Sequence, residues 1–280
     1  MIAEQRVQPR RSPVAPARSL RKYLSVTHLE LLNSLAYPVD LLMRSITICL
    51  FVFVFSRLWI ATYGALGGRA LAGLTARDAV WYLMLAEVVM LSTPRVSTTV
   101  STSVKDGSIA YSLCRPYSLV GFLLASSVGE GLLAAAVNLL AGGTVAWLTA
   151  GPPPWLASWP FAALAVAAAW LINFSISALI GLSAFLVEEV SPFEWIHNKF
   201  VLVLGGLLLP VDFFPHWLRT ISLALPFAYV TYAPARIFVS HHPSQVLWLL
   251  AGQGVWLAVF ACLLPLAYKL AVRRLTINGG

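Results

Sequence analysis

VKDGSIAYSLCRPYS, residues 104–118, is a short polar segment set between two long apolar runs. It holds Lys105, Asp106 and Arg115 and closes on Arg115-Pro116, a pair that disfavours helix continuation. Nothing in it has the pattern of an active site. Flanked on both sides by runs long enough to cross a bilayer, it reads as a loop at a membrane surface that a partner can grip.

The rest of the composition agrees. The chain has 280 residues, of which 59% are hydrophobic and 11% charged, with a mean hydropathy of +0.80. Soluble domains carry roughly a quarter charged residues, so this is an all-α integral membrane protein. At roughly 20 apolar residues per span, the length holds six spans and leaves no room for a separate catalytic domain. The net charge of +8 is explained by basic residues collecting beside spans on the cytoplasmic side, not by nucleic acid. Cys49, Cys114 and Cys262 have no paired spacing, so they indicate neither a disulfide framework nor a metal site.

Outward from the loop, the chain divides simply. Residues 1–17 are rich in Arg and Pro, with no apolar segment close behind to make a signal peptide; a disordered cytoplasmic tail is expected. Residues 18–37 place Leu20, Leu24, Leu31 and Leu35 at helical spacing with Arg21, Lys22 and Glu30 on other faces, an amphipathic helix suited to the interface. The apolar, multi-span body covers 38–272, and 273–280 is a short cytoplasmic tail. Spans are expected at 39–60, 79–100, 119–148 and 161–187, then a fifth from about 192 and a sixth at 246–268. Arg44 lies one turn inside the first and can snorkel. The third is longer than a straight span needs and is interrupted by Gly129-Glu130-Gly131, so a tilt, kink or break is expected. Prolines 210, 215, 226 and 234 cut the region after span five into pieces too short to cross. These read as short outer helices, tolerable where protein or water covers their irregular backbone.

Twelve Lys and Arg residues fall on the side of the N-terminal tail and the 104–118 loop, against five on the other. Both termini are therefore expected in the cytoplasm. No GxxxxGK[ST], HExxH or GxSxG occurs, so neither nucleotide binding nor catalysis is indicated. His28, His197, His216, His241 and His242 fall at span ends or loops and read as solvated or interfacial. Trp59, Trp81, Trp147, Trp155, Trp159, Trp195 and Trp217 read as an interfacial belt. A charge at the bilayer centre costs at least ~2.5–3.5 kcal/mol, so Glu87, Arg95 and Glu130 are expected to face protein or water and to pair with one another. Glu87 and Arg95, two helical turns apart, can share one side of span two. With Asn173 they either lock the spans structurally or line a substrate path.

The 104–118 loop, the 205–238 stretch GGLLLPVDFFPHWLRTISLALPFAYVTYAPARIF and the ending RRLTINGG together resemble the permease subunits of type-2 ABC exporters. The likeness is greatest to the bacterial six-span branch paired with a drug-exporter-like ATPase. It implies an amphipathic elbow helix, six spans, a cytoplasmic coupling helix between spans two and three, and re-entrant outer helices after span five. The coupling role falls on Lys105, Asp106, Gly107, Ser108, Arg115 and Pro116. It further implies a multi-pass protein of the bacterial inner membrane, acting with a second permease, identical or not, and two ATPase subunits. ATP and Mg would bind those subunits and no cofactor this chain. Two alternatives remain. An ion-gradient-driven transporter would use Glu87 and Glu130 as proton carriers, and a membrane-embedded enzyme would need a convergent set of His, Asp or Cys that is not recognisable here.

Overall fold

The computed structural model describes residues 16–278, apart from 116, 155, 188 and 241. The tail expected over 1–17 thus lies, up to residue 15, outside the described residues, as does Pro116. Five helical segments among the described residues are long and apolar enough to cross a membrane. They are α2 (Pro38–Ala65), the pair α3 (Ala76–Leu91) and α4 (Val96–Lys105), α6 (Leu119–Ala150), α7 (Trp159–Leu182) and α11 (Pro243–Asn278). Between them lie α1 (Pro16–Leu35), α5 (Ile109–Cys114), α8 (Ser191–Val203), α9 (His216–Ala224) and α10 (Tyr232–Val239). The last helix continues through most of the segment expected as a tail.

Local chemistry sets the helix ends. Pro38 and Asp40 open α2, where a missing N–H and a negative charge suit the helix start. Thr75 and Asp78 form a reciprocal capping box on α3. The Ser118 side chain accepts from Gly121 N–H to start α6, and Gly151, at φ +91°, ends it. The fifth expected crossing is a different object from the others. Its helix, α8, has 13 residues, about 20 Å of rise against a hydrocarbon core of about 30 Å. It stops at Gly205-Gly206, where Gly206 takes φ +72°, and Pro210 and Pro215 forbid a restart until α9.

The span α3–α4 lies at the centre: 72% of its most apolar stretch is buried, against 17% for α2 and for α11. The upper ends of the spans meet where Trp81 Nε1 donates to Gly151 O at 3.1 Å and Ser158 Oγ to Phe238 O at 2.7 Å. The 104–118 loop marks the lower end. Two apolar cores divide the molecule along this axis. The upper one joins Ile48 and Val52 of α2, Val80–Val89 of α3, Ile172 of α7, the 228–239 segment and Phe260 of α11. The lower one joins Val96 and Val100 of α4, Ile109, Leu119 and Leu123, Phe174 and Leu182, and Leu264 and Ala271.

Two expectations about continuity are corrected. The second span is broken: α3 ends at Leu91, and Ser92 to Arg95 are non-helical before α4 begins. Pro94 explains this, because its ring disfavours helix at the preceding residue and removes a donor. Of the tilt, kink or break expected of the third span, the break is absent: α6 is one helix through Gly129-Glu130-Gly131. These glycines also allow close approach. A Cβ on Gly129 would run into the Thr27 carbonyl of α1, and one on Gly131 would stand 3.0 Å from Ser92 O. Helix α1 therefore packs along the first half of α6 in the same direction. Thr27 Oγ1 donates to Ala125 O at 2.9 Å and Ser126 Oγ to the Glu30 carboxylate at 3.0 Å.

Candidate functional site

The lower-end loop is built tightly for so short a segment. Helix α4 runs out to Lys105; Asp106 accepts from Ser108 N–H at 2.9 Å, and Gly107 turns the chain at φ +75°. Ile109 on α5 is buried in the lower core, while Tyr111 is 77% exposed. Arg115 Nη1 donates to Tyr117 Oη at 2.6 Å, Tyr117 stacks on Phe122, and Ser118 caps α6. Of the residues assigned to coupling, Lys105, Asp106, Gly107 and Ser108 form the turn between α4 and α5, and Arg115 follows α5 at the far end of the loop.

A second segment meets this turn. Lys105 Nζ lies 2.7 Å from Glu189 in the connection between α7 and α8, and the same carboxylate accepts from Ser191. These donors, Lys105 first, hold the Glu189 carboxyl down to about 2; the Ser108 hydrogen bonds hold Asp106 below its ordinary value. Charge-assisted bonds favour the ionised form. A cleft of about 620 Å³ opens between the two segments, lined by Val104, Lys105, Ala184, Phe185, Leu186 and Glu189 among others.

The charges expected within the membrane separate on inspection. Counted down about 20 residues, or about 30 Å, from the upper helix ends, Arg44, Arg95 and Glu130 all stand at the lower boundary of the apolar slab. Glu87 stands near its middle. The expectation that Glu87, Arg95 and Glu130 pair with one another is corrected. Glu130 pairs with Arg44 of α2 at 3.4 Å, and Arg44 also holds Asp40 at 2.8 Å. Arg95 is exposed, and among the described residues no carboxylate lies within ion-pair distance of it. The break at Pro94 undoes the two-turn register on which its pairing with Glu87 depended. Glu87 is buried, makes no ion pair among the described residues and leaves Oε2 without a hydrogen-bond partner.

Asn173 Oδ1 of α7 accepts a 2.8 Å hydrogen bond from His197 Nε2 of α8, and both residues are buried. The reading of His197 as solvated is corrected: α8 turns that face onto α7 and onto Phe227. Trp81 likewise lies buried against Phe238 rather than in an interfacial belt.

Three further polar groups bracket the broken span. Arg44 Nη1 donates to Leu91 O at 3.4 Å, Asn138 Nδ2 to Ser92 Oγ at 3.1 Å, and Ser97 N–H to Ser177 Oγ at 3.1 Å. Helix ends at membrane depth need such partners, because no water satisfies their orphan groups. At the upper end Asp212, 6% exposed, accepts from Arg236 Nε at 3.0 Å and from Tyr232 Oη at 3.1 Å, and Arg236 is 8% exposed. Sequence reasoning missed Asn138, Ser177 and Asp212; the available signal was Asn138 and Asp212 each standing alone among apolar residues, whereas Ser177 is one of three polar residues in 173–177 and gave no separate signal. Among the described residues no three His, Cys, Asp or Glu gather closely enough to hold a metal ion.

The bundle thus combines a largely buried, broken second span, a short lower loop fastened to the α7–α8 connection, and short helices in place of most of a fifth crossing. The sequence matches the ABC-2 family transporter protein family over residues 41–279. This chain belongs to that family. No curated protein matches it. As an ABC-2 permease it is a multi-pass component of membrane transport, not a catalytic one, and the family generally works as a dimer with ABC ATPases.

Proposed function

We propose that this permease is the membrane subunit of an ATP-driven exporter, coupled to two separate ATPase subunits through residues 104–118. A second permease, identical or not, completes the substrate path, and ATP and Mg stay on the ATPases. In this reading the lower end faces the cytoplasm of a bacterium and both termini lie there, in keeping with the excess of basic residues at that end. ATPase closure pushes on the loop and rocks the two permeases, opening a cavity outward.

The observation that carries this reading is the loop's construction. Gly107, Asp106 and the Arg115–Tyr117 bond set its shape, Lys105–Glu189 fastens it, and Tyr111 remains exposed. A pre-shaped polar projection loses little entropy on docking. A gradient-driven carrier using Glu87 and Glu130 is less well supported, because Glu130 is committed to Arg44.

The test is purification of the tagged permease from native membranes in gentle detergent, with stoichiometric partners identified by mass spectrometry. A P-loop ATPase is expected to accompany the wild type and to be lost, or uncoupled in its ATP turnover, in Lys105→Glu. Recovery of the protein alone, stable and folded, would overturn the coupling reading and return attention to Glu87.

A further inference from the structure

The boundary between the two apolar cores coincides with a weakness in each helix that passes through it. In the second span Val89 belongs to the upper core and Val96 to the lower, and the helix is interrupted between them around Pro94. In α11 Phe260 belongs above and Leu264 below, next to Pro265, which lies inside the helix and removes a backbone hydrogen bond there. In α7 Ile172 belongs above and Phe174 below; Ser175 Oγ donates back to Leu171 O at 2.7 Å, a contact that slightly destabilises and often bends helices. In α6 Gly131 stands at the same level, against Ser92 O, Pro94 and Trp170, and glycine is among the weakest helix formers.

The levels are tied by direct contacts. Gln253 Nε2 donates to Ala165 O at 2.9 Å, and α7 and α11 run the same way. Lower down, Leu264, next to Pro265, and Ala178, next to Ser177, share the lower core, and Ser177 holds the first turn of α4 through Ser97. The two sides of the break also have different hosts. Leu91 and Ser92 are held by Arg44 of α2 and Asn138 of α6, whereas Ser97 and Val100 pack on Ser177 and Gly181 of α7. Helix α4, α5 and the lower ends of α6, α7 and α11 share the lower core; α2 and α10 contribute only to the upper.

We infer that the lower core rocks as one body against the upper core about a flexure belt at Pro94, Gly131, Ser175 and Pro265. The break lets α4 turn without dragging α3, and the proline, serine and glycine let the other three helices bend at one height. Packed cores move as bodies between discrete arrangements rather than deforming continuously. Because the 104–118 loop is anchored in the lower core through Val104 and Ile109, a push on it becomes a rotation of that core. This use of the belt in transport rests on the coupling reading above; the belt itself does not.

The experiment is performed on the full-length permease alone in lipid nanodiscs, with Cys49, Cys114 and Cys262 replaced by Ser. Spin labels at the exposed positions 148 and 247 report within the upper part, 102 and 270 within the lower, and 148 and 102 across the belt. The distance distribution across the belt is expected to be about twice as wide as either within-body distribution, as for a hinge between rigid units. Joint replacement of Pro94→Ala and Pro265→Ala should narrow it to the within-body width while leaving the within-body distances in place. If those distances move, Pro265→Ala alone is read instead, with partial narrowing expected. A cross-belt distribution as narrow as the others, or one indifferent to the proline replacements, overturns the inference. Since no ATPase is present, failure here leaves the coupling reading standing, and failure to recover an ATPase leaves the belt standing.

Discussion

Removal of Asp212 should destabilise this permease more than loss of almost any other polar side chain. Asp212 is 6% exposed and accepts from Arg236, itself 8% exposed, and from the Tyr232 hydroxyl, with Arg219 Nη2 at 3.6 Å. In Asp212→Ala the Arg236 guanidinium is left buried and unpaired. Breaking a buried ion pair from one side costs about 3–5 kcal/mol. The orphaned Tyr232 hydroxyl adds to this within the same range, since the three groups act as one network. For a chain of this size that loss corresponds to a fall in unfolding midpoint on the order of 10 °C. The assay is intrinsic-fluorescence thermal unfolding in detergent at a fixed scan rate, because membrane proteins often unfold irreversibly. Asp212→Leu with Arg236→Met should recover most of the loss, since an apolar pair of similar volume replaces a buried ion pair at little cost. A shift of less than about 2 °C in Asp212→Ala would mean a loss below about 1 kcal/mol and would refute the claim that Arg236 depends on this partner. So would a double variant no more stable than the single one.

Further outcomes follow from the same contacts. Asn173→Leu should lower stability by about 1–3 kcal/mol by stranding buried His197, with much of it restored in Asn173→Leu with His197→Phe; equal losses in both would show that the pair does not act as a unit. Gly129→Leu cannot keep α1 against α6, so limited proteolysis should cut between residues 16 and 37 faster than in wild type, with the remaining spans intact. The Glu189 carboxyl is held down to about 2, so its contribution is fully present above the ordinary carboxylate value of roughly 4.5 and is lost as pH falls through about 2. The midpoint difference between wild type and Glu189→Gln should accordingly stay level from pH 5 to 8; a difference that varied across that window would contradict the Lys105–Glu189 contact. Lys105→Glu with Glu189→Lys should regain whatever coupled ATP turnover Lys105→Glu alone loses, whereas continued loss would place the Lys105 charge against the partner rather than against Glu189.

Composition and hydropathy by themselves determined that the chain is helical and membrane-spanning, because about 20 apolar residues in a row have few other stable places to be. They also located the polar loop at 104–118 and the proline-divided stretch after α8, since charge is penalised in a lipid-facing helix interior without any tertiary context, and prolines 210, 215, 226 and 234 leave pieces too short to cross. Only the tertiary structure decided which polar groups meet. Arg95 of the second span stands at the same height as Glu130, yet Arg95 is exposed and Glu130 pairs with Arg44 of α2. Periodicity carried the second span straight through Pro94, whereas Arg44, Asn138 and Ser177 from three other helices make an interruption there tolerable. His197 likewise reads as a span-end residue until α8 is seen to lay it against Asn173. Burial in a membrane protein depends on which helix faces another helix rather than lipid, and both neighbours are equally apolar, so hydrophobic pattern alone carries little information about the choice.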